Sequence, residues 1–444
     1  MNTNKKIAIG IPCYKSQKTI EECLSSINIQ TMRDDINVII ANDNPGVDDY
    51  SYLTKMFPKL NITFTETDKN GGPGIARNKA IEVANDDFIM FMDSDDVLYT
   101  PYAVEQLYRG IMSQPNAIQC QGIFVQTANI NGQNKLIPQT SPNHPWSFGR
   151  LTNLKFLKTN HIDFGLLPNM EDGRFQWIIN LLIEGTALKR VFINDIVYVW
   201  KEGSEHSITR GGIDINGGIP VYNYSMCQIG ASIAAKQAVE FALKANPFNG
   251  SIQRFLLEQM IGHYFTYYEC LERCPKFAEQ NWWLTKWFYH NAYEKYCSNI
   301  TPELEDKFFM QMLSVKGKEL SKFPELTFNQ WFDKIKTEEF VFEELKDIRN
   351  KLPQEILDCE RKSGSLTQDA RDDALRIFDV DLIKWYSFLS FCSIIFWAFT
   401  LSRNAKGFLF IFLFIFLFIF IYKAFTKSEF CVIILYNKAV ENRD

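Results

Sequence analysis

The sequence has no cysteine pair at CxxC spacing, no internal repeat, no visible secretory signal and no excess of positive charge. Its ten cysteines are scattered over 444 residues, which argues against a disulfide framework and for reduced thiols in a cytosolic setting. Cys270 and Cys274, with His263 nearby on the same expected helix, lack a carboxylate and a clear fourth ligand, a poor fit to zinc. A formal net charge of −5 leaves no broad basic surface, so a nucleic-acid partner is not expected. The length exceeds what one hydrophobic core usually supports, and more than one domain is expected.

What is present is concentrated at residues 88–96. Five apolar residues (FIMFM) run into Asp93, Ser94, Asp95 and Asp96. A short, continuous apolar run reads as a strand buried on both faces, typical of a parallel sheet. Acids at its end lie at the carboxyl edge, where open α/β folds bind ligands. Clustered carboxylates repel one another, and Mg2+ or Mn2+ relieves that repulsion through oxygen ligands. A metal held by one or two carboxylates keeps positions open for the oxygens of a diphosphate. A solvated acidic turn is the alternative on this motif alone.

The preceding residues extend the pattern. Residues 6–12 (KIAIGIP) form an apolar strand closed by proline. Thr19 can cap a helix in which Ile20, Leu24 and Ile27 share a face, with Glu22 three residues on. Residues 37–41 (NVIIA) form a strand that delivers Asp43, and residues 62–65 another. Glycines 71, 72 and 74 then precede an apolar-periodic helix over 75–84. Glycines allow positive φ and close backbone approach, and helix N-termini favour anions. Strands alternating with helices imply a parallel sheet with Asp43 and the Asp93 cluster on one edge.

In this order the motifs resemble the family-2 inverting glycosyltransferases of the GT-A fold. The matching pieces are Ile11, Pro12, Cys13 and Tyr14 after the first strand, then Ala41, Asn42 and Asp43 after the second. Asn70, Gly74, Arg77 and Asn78 follow in the loop and helix, and Asp93, Ser94, Asp95 and Asp96 complete the set. The resemblance covers roughly residues 5–210. It implies a Rossmann-like, mixed but mainly parallel sheet with flanking helices. It also implies that Pro12, Tyr14, Asp43, Gly74, Arg77, Asn78, Asp93 and Ser94 bind a nucleotide-sugar. Asp43 would accept a hydrogen bond from the uracil or ribose. Arg77 would pair with a phosphate or hold an acid at the sheet edge, and Asn78 would fix the glycine loop. Asn42 stands where the family usually has a second acid, so Asp43 ranks above it. Asp95 would be the direct metal ligand, Asp93 would contact the ribose or the metal through water, and Asp96 would be an outer supporting or helix-capping acid.

Two further segments extend the resemblance. Glu171 and Asp172 precede an apolar helix over 175–183. The resemblance makes Asp172 the catalytic base for the acceptor hydroxyl and Glu171 its orienter. The alternative is simple favourable charge at a helix N-terminus. After a strand over 191–200, the resemblance makes His206 a third metal ligand and Ser207, Thr209 or Arg210 a phosphate contact. His144, Pro145 and Trp146, in the loop leading to Gly149 and Arg150, resemble an acceptor-side segment that shapes the sugar pocket.

The expected organisation is a catalytic domain over 1–215, a helical extension over 216–380, a membrane hairpin over 381–425 and a tail over 426–444. Glycines 211, 212, 217 and 218 read as a joint or lid. Ile229, Ile233, Val239 and Leu243 recur near helical spacing, and Pro247 ends that run. Aromatics crowd 252–297, where packing between helices is their commoner use. Residues 301–380 read as charged amphipathic helix, with 343–351 and 355–362 as exposed faces. The apolar runs 385–401 and 407–422 would each span about 25 Å as helices, near the hydrocarbon thickness of a bilayer.

The expected function is a metal-dependent inverting transfer of a sugar, UDP-linked by preference, to a surface-glycan or lipid-linked hydroxyl. The catalytic domain would sit on the cytoplasmic side of a membrane. The alternatives are transfer to nucleic acid or protein, and a membrane-tethered scaffold that binds the nucleotide-sugar without catalysis.

Overall fold

The computed structural model describes residues 6–130, 133–140, 144–167, 169–201, 226–273, 275–297, 301–316 and 324–338. The apolar segments at 7–13, 36–42 and 88–91 form strands because each is buried along almost its whole length. They are β1 (Ile7–Cys13), β2 (Ile36–Asn42) and β4 (Phe88–Phe91), joined on the far side of β2 by β3 (Asn61–Glu66). All four run parallel in the order β3-β2-β1-β4, with β1 central. α1 (Ile20–Asn28) follows β1, the short α2 (Leu53–Met56) follows β2, and α3 (Pro73–Val83) follows β3. Ile20, Leu24 and Ile27 bury one face of α1, as their spacing predicts. Thr19 does not cap α1 with its side chain: its hydroxyl donates to Ser16 O at 3.2 Å instead, in the turn before the helix.

Residues 100–170, which carry little readable pattern, complete a mixed sheet. β5 (Val97–Leu98) and α4 (Ala103–Met112) lead into β6 (Ala117–Ile130) and β7 (Gln133–Gln139). β8 (Arg150–Asn153) lies antiparallel between β4 and β6, and α5 (Leu154–Thr159) follows it. After α6 (Glu171–Ile183), β9 (Lys189–Trp200) pairs parallel with β6 and antiparallel with β5. The core gathers side chains of β1, β2, β4, α1 and α4 beneath the sheet edge that carries the acids.

From Met226 the structure is helical, with helices Met226–Ala245, Ser251–Arg273, Ala278–Phe288, Pro302–Lys316 and Phe328–Thr337. The first ends two residues before Pro247 and buries Ile229, Ile233 and Val239. Within the aromatic stretch Tyr264, Phe265, Trp287 and Phe288 are core, whereas Tyr267, Tyr268 and Trp282 are half-buried. His263 is buried with Nε2 3.3 Å from the Ser232 hydroxyl and Nδ1 3.3 Å from that of Thr285. Both ring nitrogens therefore face hydroxyls rather than thiols. Cys274, the faces at 343–351 and 355–362, and both apolar runs near the C-terminus lie outside the described residues. Among the described residues no helix is long and apolar enough to cross a membrane.

Candidate active site

Strand register brings the acids together. Cys13 pairs with Asn42 on one side of β1, and Gly10 with Phe91 on the other. The chain leaving β2 therefore places Asp43 beside the end of β1, its N–H donating to Cys13 O at 2.7 Å. The chain leaving β4 places Asp93, Ser94 and Asp95 across from it. A cavity of about 500 Å3 opens between them. Pro12, Tyr14, Asp43, Arg77, Asp93, Ser94, Asp95, Glu171 and Asp172 all line it.

Asp43 is 2% exposed, and its carboxylate is fully engaged. Oδ1 accepts from the Thr67 hydroxyl and Gly71 N–H, both at 2.9 Å. Oδ2 accepts from Gly72 N–H at 2.7 Å and the Asn70 amide at 3.0 Å. Burial pushes its pKa up to about 6 in spite of these bonds. Asp43 thus fastens the glycine loop to the sheet. Gly72, with φ 86° just before α3, supplies the left-handed conformation that glycine adopts without strain. Asn42 is occupied locally, donating to Asp48 O at 3.1 Å and accepting from Asn44 N–H at 3.0 Å.

Gly74 and Asn78 lie four residues apart, hence on one face of α3. That face turns away from the cavity, and neither residue lines it. A Cβ on Gly74 would come within 2.9 Å of Glu171 Cγ, so glycine here lets α3 and α6 touch. Asn78 Oδ1 accepts from Phe164 N–H at 2.9 Å, which fixes the chain before α6 rather than the glycine loop.

Arg77, 4% exposed, joins both halves of the site. Nη2 donates to Asp93 Oδ1 at 2.7 Å and Nη1 to Glu171 Oε1 at 2.9 Å, with Asp172 Oδ1 at 3.2 Å. The guanidinium packs 5.4 Å over the Phe164 ring. Burial raises the pKa of Glu171 and of Asp172, and Arg77 opposes the rise in both. α6 starts at Glu171 directly after Met170, which has a left-handed φ of 61° and lines the cavity. A non-glycine residue in this conformation stores strain of the kind that gathers at functional sites.

Asp96 is buried behind the acids. It accepts from the Tyr198 hydroxyl at 2.7 Å and from Lys201 N–H at 2.8 Å. The same Tyr198 oxygen accepts from Asp93 N–H at 3.1 Å. This clamp holds the acidic turn against the end of β9, and nothing in the sequence pattern points to Tyr198. Ser94 meets Ser16 hydroxyl to hydroxyl at 2.7 Å, tying the turn to the chain after β1.

Trp146, Phe148 and Trp200 form one wall, with Trp146 and Phe148 stacked at 6.0 Å. His144 does not line the cavity: it is buried, and its carbonyl accepts from Arg150 Nη2 at 2.7 Å. Lys15, Lys18 and Lys201 line the cavity as well. Cys227, from the first turn of the helical region, closes one side, and no motif points to it. His206, Arg210 and Pro168 lie outside the described residues.

Among the described residues no group of three or more His, Cys, Asp and Glu is arranged to hold a metal. Asp93 and Asp95 on one wall supply hard oxygen donors, and Asp93 is one-third exposed. That pair suits a divalent cation that keeps other positions open.

Residues 8–169 match the family described as Glycosyl transferase family 2. The poly(ribitol-phosphate) beta-glucosyltransferase of Bacillus spizizenii is 40% identical over 96 residues, 21% of this chain and 15% of that protein. The putative glycosyltransferase EpsH of Bacillus subtilis is 33% identical over 115 residues, 26% of this chain and 33% of that protein. The matches thus span a third or less of these relatives. The crystal structure of Staphylococcus aureus TarS residues 1–349 with UDP-GlcNAc superposes with a TM-score of 0.52 at 19% identity, over 69% of this chain and 85% of that one. At that identity the likeness establishes the shared GT-A-type fold. Sequence match, strand order and the convergence of acids agree: residues 8–169 of this chain form a glycosyl transferase family 2 domain.

Proposed function

We propose that the protein is an inverting glycosyltransferase that moves a sugar from a nucleotide-sugar to an acceptor hydroxyl. One observation carries this reading: Asp43, Asp93, Ser94, Asp95, Glu171 and Asp172 line a single cavity although they come from the ends of two strands and the start of a helix. Pro12, Tyr14 and the backbone beside Asp43 hold the nucleoside. Ser94 and Asp93 face the ribose and diphosphate. A divalent cation, Mn2+ or Mg2+, held by Asp93 and Asp95, would neutralise charge on the departing diphosphate.

Asp172 takes the proton of the acceptor hydroxyl. The freed oxygen forms its bond to the anomeric carbon as the bond to the diphosphate breaks on the opposite face, which inverts configuration. Arg77 favours the ionised form of Asp172 against the effect of burial and holds Glu171 in place. Trp146, Phe148 and Trp200 offer apolar faces to the sugars.

UDP is the favoured nucleotide and a cell-surface or lipid-linked glycan the favoured acceptor. The names of relatives acting on poly(ribitol-phosphate) support an acceptor of that kind, and Lys15, Lys18 and Lys201 at the cavity suit its phosphates. The apolar runs at 385–401 and 407–422 support a membrane anchor, with the catalytic domain on the cytoplasmic side, where nucleotide-sugars are made.

The test is calorimetric titration of UDP- and GDP-sugars with and without Mn2+. Metal-dependent binding of one donor is expected, lost in Asp95→Ala. Absence of binding by every donor overturns the reading.

A further inference from the structure

A second cavity, of about 420 Å3, lies in the helical region between Ser251–Arg273, Ala278–Phe288 and Phe328–Thr337. Its volume is that of a small-molecule site. Tyr267, Tyr268, Trp282 and Trp331 line it together with Glu279 and Glu325. It shares no residue with the cavity at the sheet edge.

The rings do not form a platform. Tyr267 and Tyr268 meet at 79° with centroids 5.4 Å apart, Tyr267 and Trp282 at 51° and 5.1 Å, Trp282 and Trp331 at 82° and 6.1 Å. Successive steep angles make the corners of a box. A flat sugar ring stacks on a platform, whereas a rounded cation is attracted to several ring faces at once. Trp282 is held in place by donation from Nε1 to Glu338 at 2.9 Å.

Charge points the same way. Glu279, Glu325 and Glu338 line the cavity against one ammonium, Lys334. Lys286 lies 3.5 Å from Glu338 and balances it in part. Glu279 and Glu325 have no ion-pair or hydrogen-bond partner among the described residues. Burial lifts both phenols above their usual range, and the field of Glu325 adds to the rise at Tyr267 and Tyr268. Trp331 is fully buried, and its indole N–H has no partner among the described residues. That donor suits an oxygen on the same ligand.

We propose that this aromatic box binds a small organic cation of the quaternary ammonium class, carried as a choline-like group. The rings supply cation–π attraction and Glu279 and Glu325 the counter-charge. The site stands apart from sugar transfer, and its test does not depend on the function proposed above.

The test uses the full chain and choline chloride, with sodium chloride at equal ionic strength as control. Saturation-transfer NMR on the choline methyl signal and tryptophan fluorescence read binding. The expected result is a saturable response to choline that tetramethylammonium competes away and glucose does not produce. Tyr267→Leu, at a half-buried position, and Glu325→Gln, at an exposed one, each weaken it by roughly fivefold with an unchanged circular dichroism spectrum. A response no greater than the sodium chloride control overturns the proposal, as does one that both variants retain. A response to glucose in place of choline overturns it too, because the cavity is then a saccharide site.

Discussion

Arg77 and Asp93 are bonded at 2.7 Å across the edge of the sheet, and the same guanidinium reaches Glu171 at 2.9 Å. One cation therefore ties the acid at the end of β4 to the acids that begin α6. Arg77→Met leaves two largely buried carboxylates, Glu171 and Asp172, without their counter-charge. Breaking such a pair from one side costs about 3–5 kcal/mol, which urea unfolding will read. Arg77→Lys recovers part of the stability but little activity, because an ammonium lacks the planar fork that spans two acids.

Asp172→Asn separates binding from chemistry. An amide cannot take the acceptor proton, so transfer falls by about 10²–10⁴-fold. Calorimetry should find nucleotide-sugar affinity within about twofold of the parent. Full transfer activity in the variant removes Asp172 from the role of base.

Gly74→Ala tests the contact between α3 and α6. The new methyl meets Glu171 Cγ at 2.9 Å and Cβ at 3.1 Å, close to the α6 backbone rather than at a flexible tip. Overpacking of this kind costs about 1–3 kcal/mol. A lowered melting temperature with reduced turnover is expected, and an unchanged melting temperature contradicts the contact.

His263 makes stability depend on pH in a defined direction. Burial lowers its pKa from 6.5 to about 4 in the folded chain. Below 6.5 the unfolded chain takes up a proton that the native state refuses, so stability present above that value is lost as pH falls toward 4. From pH 7 to pH 5 the loss is about 2 kcal/mol. His263→Gln can still bond the hydroxyls of Ser232 and Thr285 but does not titrate. Urea unfolding at the two pH values should show a smaller difference in the variant.

The donor half of the fold was legible because β1, β2 and β4 are short apolar runs, and such runs have few other ways to be buried. Asp43, the Asp93 turn and the Glu171–Asp172 pair could be placed because each follows or precedes such an element directly. Arg77 was readable as a cation near acids, but its three partners were not, since they depend on how α3 packs on α6. The resemblance assigns Gly74 and Asn78 to the donor, yet they face Glu171 and Phe164. The helix periodicity fixes only that they share a face, not which way it turns. β6, β7 and β8 leave no readable pattern because β6 changes partners and shifts register along its length, which breaks simple alternation. Tyr198 and Cys227 reach the site from strand and helix positions that look like ordinary core.

The helix Met226–Ala245 lies against α6, and a Cβ on Gly230 would come within 2.6 Å of the Asn169 carbonyl oxygen. Cys227 on that helix completes the cavity wall. Cutting the chain at residue 215, where the sheet has ended, therefore would not release a self-sufficient enzyme. It would remove the helix that packs on α6 and take Cys227 from the pocket wall, so shortened versions of this protein should be cut no earlier than the far end of that helix.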